Sequence, residues 1–346
     1  MSDSIENAAN DPNQQNIVIP TNYEQIGHIA HFNLRENVLR YKFVIGQVYL
    51  EKLPNVRTVV NKTGSIENQY RVLPMEVIGG TPDFKVTVRE NGCRFSFDFS
   101  KVYWNSKLGT EHQRMCTLFQ RHQVICDMMS GVGPFAVPAA KQRECVVHAN
   151  DLNPDSHRAL LDNLRKNEVE SLVTAYNLCG RAFWRKLCAN KKWIAQQNEE
   201  KLGSMGWKSG GERRRFVDHV LLNLPKMAME FLNEFRGCFE EKEVAEYGLP
   251  TVHCYCFAND VGFEREIKEQ LIQYLGAVPT ESDGLTMRKV RNVSPHLNMY
   301  CVSFSLPKEI AVGKGEDEQN GKVTERKCDE PPPLKKQKTD LACSAK

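Results

Sequence analysis

The chain has no C-x-x-C pair, no apolar run long enough for a membrane, and no strong excess of either charge. Its twelve cysteines are scattered from Cys93 to Cys343, and the tightest pair is Cys254 and Cys256. Paired C-x-x-C units are the usual mark of a structural zinc, so that class is set aside. A chain of 346 residues does not need a disulfide framework to hold a core. The pattern therefore reads as reduced thiols in a cytosolic or nuclear protein. Apolar stretches such as residues 135–140 fall far short of the roughly 20 residues that span a bilayer. The formal charge of +3 names no partner by itself. The N-terminus, MSDSIENAANDPNQQN, lacks the basic and apolar regions of a secretory signal and the arginines of a mitochondrial transit peptide.

What is present divides into four stretches. Residues 1–20 are polar and aperiodic, and residues 306–346 shift to Gly, Lys, Glu and Pro; both read as disordered tails. The run from Pro331 to Lys338 fits either a nuclear-import signal or a solvated lysine tail. Residues 21–110 read as a small α+β domain: a helix over 36–50, strands over 56–60 and 70–78, and a hairpin of 84–89 with 94–99 about Asn91-Gly92. Residues 111–305 alternate strand and helix, which predicts an α/β domain with a mainly parallel sheet and a late antiparallel hairpin. A Lys- and Gln-rich insertion at 189–215 reads as a mobile surface loop. The first thirty residues carry four acids and no base, and the last forty-one carry nine bases against eight acids. That leaves +6 for the body between them, a better match to an RNA partner.

The sharpest motif is Asp127, three residues, then Gly131-Val132-Gly133 before a helix, with Ala136 where a third glycine would complete the dinucleotide fingerprint. Asp151 closes the next strand eighteen residues after Gly133, where a ribose-binding acid belongs. A plain helix-capping role for Asp151 is the alternative. Together the two signals indicate a ribose-bearing cofactor.

An acid, three residues and then G-x-G resembles motif I of the class I S-adenosylmethionine methyltransferases, whose Rossmann-like sheet ends in an antiparallel hairpin. Seven blocks extend the likeness: Ile29–Arg35, Arg57–Lys62, Phe99–Asn105, Thr110-Glu111-His112, the Gly131 loop, Asn150–Pro154 and Asn223-Leu224-Pro225-Lys226. In this order, from about residue 21 to 305, they resemble the archaeal and eukaryotic tRNA (guanine(37)-N1)-methyltransferases.

The resemblance implies methyl transfer from S-adenosylmethionine to N1 of guanosine 37 in the tRNA anticodon loop, the first step toward wybutosine in phenylalanine tRNA. It puts Glu111 at the general-base position and Arg71 at the guanine O6 position, with Tyr103 and Asn223 lining the acceptor pocket. The cofactor would be held by His112, Asp151, Leu152, Cys179, Gly180 and Asn223, with Asp127, Gly131 and Gly133 at its amino-acid end. On the residues alone, Glu111 is an acid at a helix start, Arg71 a strand arginine and His112 a surface imidazole. Two departures stand out: Asn105-Ser106-Lys107-Leu108 replaces the family's Asn-Pro-Arg-Leu, and Cys179 stands where an acid commonly precedes Gly180. Lysine lacks the bidentate fork of arginine, and a thiol accepts weakly, so weaker cofactor binding is expected. The likeness further implies a monomer in cytoplasm and nucleus, with the mitochondrial matrix as a third site, and a chain lacking the small N-terminal domain of archaeal relatives. The competing readings are another class I methyltransferase acting on RNA or a protein amide, and a tRNA-binding homologue with weakened catalysis. An aromatic residue after a double proline usually marks amine methylation, and Asn223-Leu224-Pro225-Lys226 lacks it.

Overall fold

The computed structural model describes residues 22–64, 69–207 and 215–313. Both expected tails lie largely outside that range, as does the Pro331–Lys338 run. The N-terminal unit is a four-stranded sheet in the order β1 (Glu24–Ile26), β2 (Ile29–Phe32), β3 (Thr58–Lys62), β4 (Met75–Gly80). Helix α1 (Lys42–Lys52) lies across it, with Phe32, Val38, Ile45, Val59 and Ile78 buried between them. Gly46 makes that approach possible, because a Cβ there would sit 2.1 Å from the Ile78 carbonyl oxygen.

The hairpin β5 (Lys85–Glu90) and β6 (Cys93–Asp98) turns at Asn91 and Gly92, both with positive φ as a type I′ turn requires. It belongs to the later unit, because two asparagines of helix α4 (Pro154–Asn167) satisfy its edge. Asn163 Oδ1 accepts from the Ser96 N–H at 2.8 Å, and Asn167 bonds both the N–H and the C=O of Arg94. A boundary near residue 84, not 110, therefore divides the chain.

The main sheet has seven strands in the order β12 (Thr286–Ser294), β13 (Leu297–Ser305), β11 (Thr251–Asn259), β10 (His219–Leu222), β7 (Val124–Asp127), β8 (Val146–Asn150), β9 (Val173–Tyr176). The five strands from β11 to β9 run parallel, and β13 is antiparallel to both β11 and β12, as the sequence predicts. Connections leave β7 toward β9 and return to β10 on its other side. That reversal is the switch point at which open α/β sheets bind ligands, beyond the carboxyl ends of the strands.

Two segments differ from expectation. The insertion contains an ordered helix, α6 (Lys191–Ser204), following α5 (Gly180–Ala189), and its Ile194, Ala195 and Leu202 are fully buried. Buried Asn198 ties it down, bonding His148 Nε2 at 2.8 Å and donating to the carbonyls of Arg215 and Phe216. At the far end, a short helix over Lys308–Val312 buries Ile310 and Ala311, so the packed body continues past 305. No described helix is long and apolar enough to cross a membrane.

Candidate functional site

A cavity of about 680 Å³ opens where the N-terminal sheet faces the carboxyl ends of β7, β8 and β10. One end is shaped by backbone. Ser130 N–H donates to Asn150 O at 2.7 Å, and the Gly131 N–H donates to Asp151 Oδ2 at 2.8 Å. Asp151 Oδ1 in turn accepts from the Asn153 N–H, which starts α4. Burial raises the Asp151 carboxyl to about 6, against the two backbone N–H groups that favour its charge. Gly131 has φ +54° and only open space where a Cβ would project, so a ligand can approach its backbone. The apolar walls here are Met129, Val132, Phe135 and Phe231. Gly180 opens α5 at the same end, and a Cβ on it would strike Phe231 at 2.9 Å. Asp151 suits a ribose diol, while the flat apolar walls suit a purine.

The rest of the lining presents side chains. Arg71 lines the cavity from the loop before β4, in the left-handed region at φ 59°. Tyr103 is 40% exposed, and its hydroxyl accepts from Asn105 Nδ2 at 3.2 Å. Asn223 follows β10 directly. Neither the Arg71 nor the Asn223 side chain has a bonding partner among the described residues, which leaves both for a ligand. His112 reaches the wall from helix α2 (Gly109–Leu118), fixed by Glu90 Oε1 at 2.6 Å from its Nδ1 and by its ring edge against Phe135. Ser106, where the sequence resemblance expects proline, donates both its N–H and its hydroxyl to Glu24 Oε1, tying β1 to this wall.

Nine of the sequence-predicted residues line the cavity together: Arg71, Tyr103, His112, Gly131, Asp151, Leu152, Cys179, Gly180 and Asn223. Three do not. Gly133 is turned inward, where a Cβ would collide with Leu160 at 2.8 Å; its task is the tight turn and close helix packing. Asp127 is fully buried behind the loop, and burial, then the Asp151 charge, raises it to about 8, against the Met129 backbone N–H that favours its charge. Glu111 is 6% exposed and lies behind the wall, its carboxylate held by Arg114 and Tyr255.

Lining residues that motif reading missed include Arg291 and Val293 from edge strand β12 and His31 from β2. His31 lay inside a quoted block, which was the available signal. Arg291 offered none, since only the fold brings the last hairpin back to the cavity.

Comparison with known proteins agrees with this geometry. A family model described as TRM5/TYW2 methyltransferase domain matches residues 86–199, and one described as TYW2 N-terminal domain matches residues 6–83. The break between them falls where the hairpin leaves the N-terminal sheet. The tRNA (guanine(37)-N(1))-methyltransferase of Phytophthora infestans is 44% identical over 85% of this chain and 64% of its own length. That of Coprinopsis cinerea is 40% identical over 85% of this chain and 71% of its own. The chain thus spans about two thirds of the length of these curated relatives. The crystal structure of Trm5b from Pyrococcus abyssi superposes with a TM-score of 0.62 at 26% identity, covering 86% of this chain and 78% of that one. By sequence, by fold and by the residues gathered at its cavity, the chain belongs to the tRNA (guanine(37)-N(1))-methyltransferase family.

Proposed function

We propose that this chain transfers a methyl group from S-adenosylmethionine to N1 of guanosine 37 in the tRNA anticodon loop. The observation that carries the reading is the convergence of Arg71, Tyr103 and Asn223, from three separate segments, on the same cavity as the Asp151–Gly131 cradle. The residues present fit the cofactor. Asp151 can receive ribose hydroxyls, and the Gly131 backbone is open to close approach.

When bound, the cofactor supplies an electrophilic methyl group. Guanine N1 is unreactive while it carries its proton, so the protein must take that proton and stabilise the negative charge that spreads to O6. Arg71 offers a guanidinium with no partner among the described residues for O6, a charge-assisted donor of the kind that strengthens as charge develops. Glu111 is the carboxylate for the proton. Tyr103 and Asn223 hold the base in line, and the confined cavity supplies much of the remaining rate through orientation. Reading a base splayed from a loop suits RNA recognition, since an unstacked anticodon-loop base can enter a pocket. Lys62, Lys107 and Arg291 at the cavity supply positive charge for flanking phosphates.

Methyl transfer to transcripts carrying guanosine or adenosine at position 37, followed by nucleoside analysis, tests the proposal. The expected product is 1-methylguanosine on the first transcript alone; label on both would overturn it. One observation favours a second reading, a tRNA-binding homologue with weak turnover: the Glu111 carboxylate lies off the cavity wall.

A further inference from the structure

On α2 Glu111 sits one residue from His112 and three from Leu108, the residue just before the helix, and both of those neighbours face the cavity. Its own carboxylate does not. Oε2 accepts from Arg114 Nε at 2.7 Å, and Oε1 accepts from Arg114 Nη2 at 2.6 Å and from the Tyr255 hydroxyl at 2.9 Å. Arg114 also reaches the sulfurs of Met115 and Cys301. Tyr255 is fully buried on β11, and burial pushes its phenol well up, so it stays a neutral donor. Three hydrogen bonds, two of them from one guanidinium, hold the carboxylate away from the cavity. Rotation about its own side-chain bonds is the direct way to bring it to the wall that Leu108 and His112 already form.

We propose that Arg114 and Tyr255 are positioning residues that store Glu111 in a latched rotamer behind the cavity wall, and that entry of the target base releases it. This rests on the reading of Glu111 as the base. On release, the carboxylate takes the N1 proton: the N–H bond breaks, an O–H bond forms on Glu111, and the electron pair left on N1 makes the bond to the methyl carbon. The sulfonium sulfur keeps the pair of the bond it loses. Arg114 then retains the two sulfurs, and Tyr255 keeps its place in the core.

Single-turnover methyl transfer with saturating cofactor separates the possibilities. Tyr255→Phe removes one latch bond without changing packing, and is expected to raise the rate constant at saturating tRNA about three-fold, an effect of roughly RT ln 3 on the release step. Its tRNA concentration dependence should stay within two-fold of wild type, roughly a factor that release after binding leaves unchanged. Glu111→Gln should lose methyl transfer while retaining tRNA binding by anisotropy. A slower Tyr255→Phe enzyme with unchanged melting temperature would overturn the latch and make the two residues a static scaffold. Full activity in Glu111→Gln would instead overturn the underlying assignment of the base. Arg114→Lys, which keeps the charge and loses the fork, gives an independent check: it should follow Tyr255→Phe in direction, and a fall in rate with an intact fold counts against the latch.

Discussion

At one end of the cavity Asp151 has both oxygens engaged by backbone N–H groups, and Asn163 donates to the Val132 carbonyl while its Oδ1 holds the β6 edge. At the other end Arg71 and Asn223 have no partner among the described residues, and Tyr103 is held only by Asn105. The first end is finished before any ligand arrives. The second presents groups that few of the described residues satisfy. Preorganised backbone costs nothing to reorganise on binding, whereas exposed side chains must be ordered by the substrate. A cofactor common to many enzymes can be met by a rigid cradle, while a nucleotide drawn out of a structured RNA gains selectivity when its own contacts complete the site.

The contrast predicts that the two ends fail separately. The largest effect is expected at the acceptor end: Arg71→Ala should slow methyl transfer about 10³-fold by removing the donor to a developing oxyanion. Cofactor affinity by calorimetry should stay unchanged; a parallel loss of cofactor binding would show that the ends are one coupled unit. Next comes Asp151→Ala, which takes the acceptor from the ribose site and the brace from the Gly131 loop. Cofactor binding should weaken about 100-fold, roughly two hydrogen bonds to a charged group. Anisotropy with an anticodon stem-loop should be indifferent to that change.

The same division explains what could be read from the sequence. The Gly131–Asp151 pairing was legible because a tight turn at a strand end needs glycine and a helix start needs an N-terminal acceptor, both local requirements; the buried place of Asp127 was not. Asn91-Gly92 announced its hairpin for the same reason. The buried position of Glu111 was not legible, because its holder Tyr255 lies 144 residues away on another strand. The family likeness gave its role and said nothing of its rotamer. Helix α6 was hidden by its own polar anchors: Lys191 and Asn198 are buried, and so the apolar spacing that marks a helix was interrupted. The domain boundary was misplaced because Asn163 and Asn167 look like surface residues of a helix until they are found capping the edge of β6.

Asp127 offers a smaller effect that sharpens the picture of the rigid end. Its carboxyl is raised to about 8, so the folded state resists its ionisation more than the unfolded chain does. Its contribution to stability is therefore complete below about pH 4, the unfolded value, and is lost as pH rises through about 8. Asp127→Asn removes that loss. Its melting temperature should match wild type within about 2 °C at pH 4 and exceed it by about 10 °C at pH 9, a gap on the order of a few kcal/mol. Equal gaps at both pH values would mean that Asp127 finds a partner in solution.

The smallest expected effect concerns Cys179, which opens α5 with no side-chain capping bond and faces the cavity. Cys179→Asp places an acceptor at a helix N-terminus, where a cap is worth about 1 kcal/mol to the fold, and supplies the acid that the family resemblance expects before Gly180. If that acid also receives the adenine amino group, S-adenosylhomocysteine should bind about five-fold tighter, roughly one hydrogen bond. A hypoxanthine analogue of the same ligand, which lacks the amino group, separates the two contributions. The gain should vanish with the analogue while the rise in melting temperature remains. A gain shared by both ligands would assign the whole effect to the cap, and would leave the rigid end of the cavity indifferent to which purine it holds.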